Sequence, residues 1–229
     1  MAATAGMRVT DNPPPRYRRA MWIAMIVLCL IGAAAVLRRM TALAHPPHNV
    51  PAQLAGLDEA FARRSMLTLL HIGPGLALLI LIPFQFSRSF RTRHLRAHRW
   101  MGRTALVLGV VIGISALGLL RDPIGGRLEV VCILIFDALF LLALAKAFIH
   151  IRRRQIALHR EWIIRAMSVA LGVATVRPIM GLFFATSRIT GLTPHEFFGM
   201  AFFMGFSLTS LAGEWWVRYT RAAVRPRTV

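Results

Sequence analysis

Acidic residues are scarce in this chain: nine Asp and Glu stand against 28 Lys and Arg in 229 residues, a formal charge of +19. Charged side chains of both signs together make up only 16%, where a soluble domain carries about a quarter. Cysteine is nearly absent. Cys29 and Cys132 each lie inside an apolar block, lack metal-type spacing, and read as small packing residues that say nothing of redox compartment. Also missing are a Gly-rich phosphate loop, a Ser-His-Asp arrangement, a His-Glu-x-x-His pair and paired carboxylates. Their absence disfavours hydrolase chemistry of the soluble type. No aromatic-interleaved basic surface accompanies the arginines, so no nucleic-acid partner is expected. Loop charge facing anionic lipid headgroups is the simpler account.

Apolar residues are what the chain has in quantity: 56% of the sequence, with a mean hydropathy of +0.59. They fall into six blocks, roughly 20–37, 65–86, 100–120, 128–149, 162–185 and 196–217. Crossing about 30 Å of hydrocarbon takes about 20 mostly apolar residues, because lipid offers no partner to an exposed peptide group. The expected fold is therefore all-α, a polytopic membrane bundle of six transmembrane helices over 20–217. Residues 1–19, with Asn12-Pro13-Pro14-Pro15, read as a disordered leader and 218–229 as a basic tail. Arg38 and Arg39 follow the first block, so an uncleaved helix is expected rather than a signal peptide.

The arginines set the direction. With the amino terminus inside, seventeen lie in inside segments, among them Arg88, Arg91, Arg93, Arg96, Arg99 and Arg152 to Arg154. Seven lie outside: Arg38, Arg39, Arg63, Arg64, Arg121, Arg127 and Arg188. The positive-inside rule then predicts both termini in the cytoplasm of a bacterial inner membrane. The long outer loop, 38–64, carries His45-Pro46-Pro47-His48. No third ligand is near, so a polar loop is expected there rather than a metal site. Glu214-Trp215-Trp216 reads as an interfacial anchor.

Spans three and five enter the membrane alike, as His98-Arg99-Trp100-Met101-Gly102-Arg103 and His159-Arg160-Glu161-Trp162-Ile163-Ile164-Arg165. This suggests a doubled hairpin, spans two and three then four and five, forming a four-helix core over 65–185 flanked by spans one and six. Gly102, Ala105, Gly109 and Gly113 continue the face of His98, and Ala166, Ala170 and Ala174 that of His159. Close helix packing accounts for both stripes; a flat cofactor lying in the groove is the sharper alternative. His71, six residues into span two, precedes Gly73-Pro74-Gly75, with Gln85 on nearly the same face. Arg177 lies eighteen residues after His159, five turns on and at a depth near that of His71. Asp137 sits mid-span in span four as a proton site or counter-ion. Ionisable residues at such depth are functional candidates by default.

Together the His71-Ile72-Gly73-Pro74-Gly75 segment, Pro83-Phe84-Gln85-Phe86, the two histidine motifs and Arg177 resemble a bacterial membrane family, domain of unknown function 2306. The resemblance covers about 65–185 and implies that His71, Gln85, His98, His159 and Arg177 belong to one shared pattern; it implies no activity. The second motif departs mildly, with Ile163 where the family usually has methionine. At fold level only, the architecture also resembles b-type cytochromes, which hold haem between histidines on facing helices. His98 and His159 occupy equivalent places, as bis-histidine ligation of one haem b requires. His71 has no histidine partner in span four.

Three classes stay open. One is a haem-binding membrane redox protein, with His98 and His159 as ligands, arginines on the propionates, and a membrane redox partner or a second copy of the chain. Another is a small transporter or proton-coupled carrier with His71, Asp137 and Arg177 lining an outer cavity. The third is a scaffold or assembly factor without turnover.

Overall fold

The computed structural model describes residues 15–45 and 52–222. Eight helices follow in order: α1 Pro15–Ala44, α2 Ala52–Ala62, α3 Ser65–Phe86, α4 Arg88–Arg93, α5 Leu95–Leu119, α6 Gly126–Arg152, α7 Ile156–Thr190 and α8 Pro194–Ala222. Six of them (α1, α3, α5, α6, α7 and α8) are long and apolar enough to span a bilayer. The fold is the expected polytopic helical bundle.

The helices overrun the apolar blocks that define them. α7 has 35 residues, about 52 Å at the α-helical rise, well beyond the hydrocarbon thickness. Residues 15–19, expected as part of a disordered leader, form the first turn of α1, and 218–222 of the expected tail continue α8. The rest of both segments, and Pro46, Pro47 and His48, lie outside the described residues. Pro74 and Pro83 in α3 and Pro178 in α7 are carried within helices, as neighbouring helices in a bundle permit. Where the chain must turn, local chemistry stops it. The Ser87 hydroxyl accepts the Phe90 N–H at 3.2 Å and starts α4, and Gly191, at φ 71°, ends α7 in the left-handed conformation that glycine takes without strain.

Packing follows the doubled hairpin. α3 lies along α5 and α6 along α7, while α5 meets α6. α1 inserts between α3 and α7, so five helices close into a ring, and α8 packs outside on α6 and α7. The glycine stripe of α5 is filled by α6. A Cβ at Gly109 would lie 2.6 Å from Leu144 Cδ1, and one at Gly113 the same distance from Leu141 Cδ2. On this face the stripe serves close packing. α8 approaches α7 more closely still, since a Cβ at Gly205 would meet the Val176 backbone nitrogen at 2.9 Å.

Both described ends of the chain come to one side, where the Tyr17 and Tyr219 rings are 5.9 Å apart. We call this the basic end; the opposite side, covered by α2, is the cap end. Leu30, Leu37, Val107, Ile114, Leu182 and Leu211 are exposed around the bundle, an apolar outer wall that only lipid would cover.

Candidate functional site

At the basic end, His98 stands in the first turn of α5 and His159 in the first turn of α7. These helices both pack on α6. The two rings are within electrostatic reach of each other, and Arg91 and Arg99 are within reach of His98. His159 Nδ1 lies 2.8 Å from the carbonyl of Ala147 on α6. A carbonyl only accepts, so Nδ1 carries the proton and Nε2 keeps its lone pair. His98 differs, because its Nδ1 is buried and no partner reaches it among the described residues. A buried polar atom without a partner calls for an explanation, and a bound group is one. Gln85 donates to the His98 carbonyl at 3.2 Å, and a Cβ at Gly102 would meet only Gln85 Oε1, at 3.4 Å. His94 stacks on Phe90 at 5.4 Å and is exposed.

The remaining residues of the second motif hold α7 to α8. Glu161, buried, receives the Arg221 guanidinium. Arg165 donates to Glu214 at 2.8 Å and lies 4.8 Å above the Trp162 ring. These partners come from α8, where sequence alone gave Glu214 only as part of an anchor. Acidic residues are so few that any glutamate inside a span was a signal for such a pair.

At the cap end, His71 Nδ1 lies 3.1 Å from both the Ile112 carbonyl and the Ser115 hydroxyl on α5. Ser115 already donates to Val111 at 2.7 Å, so Nδ1–H of His71 donates to Ile112, and Nε2 has no partner among the described residues. Arg177 is within electrostatic reach of His71, and Arg38 and Arg39 are within reach of Arg177. Asp58 of α2 pairs with both Arg38, at 2.7 Å, and Arg39. Arg39 also lies 4.2 Å above the Phe61 ring, and Leu57 is buried against Val176 and Met180 of α7. Among the described residues Arg177 has no hydrogen bond or ion pair.

So the sequence candidates divide. His98, His159 and Gln85 gather at the basic end, and His71 and Arg177 at the cap end. Asp137 joins neither: it lies against Gly113 of α5, with no charged partner among the described residues. The acid that pairs with Arg38 and Arg39 is Asp58. The sequence counted it only as an outside charge, although Leu54, Leu57 and Phe61 carry the helical spacing that would have announced α2.

Between the two ends, α1, α3 and α7 close on one another. A Cβ at Gly32 would lie 2.8 Å from Leu79 Cδ1 and 3.5 Å from the Ala174 Cβ. Among the described residues no three of His, Cys, Asp and Glu come together as a metal-ion set.

The model of the family described as Predicted membrane protein (DUF2306) matches residues 68–190. No curated protein and no solved structure matches the chain. The family match spans more than half of the sequence, so this chain belongs to that family.

Proposed function

We propose, taking membership of that membrane family as the premise, that the chain is a membrane redox protein binding one b-type haem between His98 and His159. The observation carrying this reading is the pair itself: two histidines in the first turns of two helices that both pack on α6, within electrostatic reach of each other, one ring oriented by a carbonyl. His159 has the arrangement typical of a metal-binding imidazole, Nδ1–H held by a backbone oxygen and Nε2 free. The partnerless Nδ1 of His98 fits a ring whose orientation is left to a bound group. Arg91 and Arg99, beside His98, are cations suited to propionates. A haem so held supplies one-electron transfer at the end that carries the termini. The arginine distribution supports a cytoplasmic position for that end in a bacterial inner membrane, where the haem would meet a membrane redox partner or a second copy of the chain.

An absorption spectrum tests the reading. Protein produced with ample haem should show a Soret band and a sharp α band on reduction, and His98→Ala and His159→Ala should each abolish the low-spin spectrum. Colourless wild-type protein ends the proposal.

A carrier built on His71, Asp137 and Arg177 takes second place. Arg177 without a partner favours it, while the separation of Asp137 removes its third member. A scaffold without turnover rests on no one observation.

A further inference from the structure

The cap end holds more positive charge than the protein compensates. Arg38 and Arg39 are within electrostatic reach of Arg177, and the carboxylate beside them, Asp58, is already engaged by Arg38 and Arg39, while Glu59 and Asp122 at the same end pair with Arg63 and Arg64. Arg39 is well covered, its side chain 12% exposed, whereas Arg38 is 41% exposed. The second therefore looks outward and the first inward. A charged arginine within a membrane helix is costly on insertion scales, about 2.5–3.5 kcal/mol at mid-bilayer, unless it is hydrated or paired. Arg177 is partly buried and has no protein partner among the described residues.

The surroundings of Arg177 are not sealed. Every residue of α3 from His71 to Ala77 is partly exposed, whereas Leu78, Leu79 and Ile82 immediately beyond are buried. On the inner side α1, α3 and α7 close where Gly32 faces Leu79 and Ala174, and on the outer side Asp58 joins α2 to α1.

We propose that the cluster of Arg177, Arg38 and Arg39 beneath α2 binds an oxyanion, a phosphate or carboxylate group belonging to a small solute or a lipid headgroup. The guanidinium fork of Arg177 suits two oxygens of one such group. The charges left after Asp58 is subtracted suit a ligand of one or two negative charges. Asp58, holding Arg38 and Arg39 together, sets the rim through which the anion enters.

The test uses the full chain in phosphatidylcholine nanodiscs at constant ionic strength, titrated with inorganic phosphate and separately with succinate, and read by calorimetry and thermal unfolding. A parallel set contains phosphatidylglycerol and no soluble oxyanion. Binding of phosphate or succinate identifies a solute site; stabilisation by phosphatidylglycerol alone identifies a headgroup site. In either case Arg177→Gln should weaken the response at least tenfold, Arg177→Lys less, and Arg188→Gln, on the exposed end of α7, not at all. If Arg177→Gln does not purify, Arg177→Lys should show at least a threefold loss. A wild-type protein indifferent to all three probes overturns the assignment. So does an Arg177→Gln or Arg177→Lys protein that responds like wild type.

Discussion

Single residues in this protein do work that their neighbours in sequence do not reveal. Glu161 lies between His159 and Trp162 in a motif that suggests cofactor chemistry, yet its carboxylate joins α7 to α8 through Arg221. Breaking a covered ion pair from one side leaves a cation without its partner, a larger loss than an exposed pair would give. Arg221 is itself 48% exposed, which moderates the effect. Glu161→Ala should lower stability by roughly 1–3 kcal/mol, seen as an earlier melt in detergent while any haem spectrum persists at low temperature. A melt unchanged from wild type would show that the pair contributes nothing. The histidines and Arg177 were legible from the sequence because ionisable residues in apolar runs are conspicuous. Asp58 and Glu214 were not, because their value comes from partners 19 to 49 residues away.

Among the elements, α2 departs most from what hydropathy predicts. The long loop between the first two spans was expected to be polar and irregular, and within it stands an 11-residue helix. The six spans could be read because lipid imposes one requirement on each of them separately. α2 is stabilised by tertiary contacts: Leu57 against α7, Asp58 with α1, and Phe61, whose carbonyl accepts the Thr68 hydroxyl at 3.1 Å. Leu57 is 6% exposed, and core Leu→Ala changes cost about 2–5 kcal/mol. Leu57→Ala should therefore loosen the cap locally. In hydrogen exchange, amides of Ala52–Ala62 should exchange at least tenfold faster, with those of α6 unchanged. Equal exchange across α2 would show that Leu57 does not hold the cap.

Across the whole molecule the candidate residues divide between two ends. The described residues place the crowded arginines of Arg88–Arg99 and Arg152–Arg154 on the side of both described termini and α2 on the other. The positive-inside rule predicts that the arginine-rich side faces the cytoplasm. Reporter fusions within 88–99 should be active only as cytoplasmic fusions, and fusions within 52–62 only as periplasmic ones; the reverse pattern would invert the assignment of both sites. The ring closed by α1 was not legible, since hydropathy says where a span lies and nothing of which spans touch.

The close approach of α1, α3 and α7 at Gly32, Leu79 and Ala174 has an electrical consequence. Were water to reach the polar groups on both sides of that apolar contact, a membrane voltage would fall mostly across it, at about 2.3 kcal/mol per charge per 100 mV for the full drop. An ion held by Arg177 would then sit near the potential of the outer solution and a haem near that of the inner one, while a charge moving between them would cross almost the entire field.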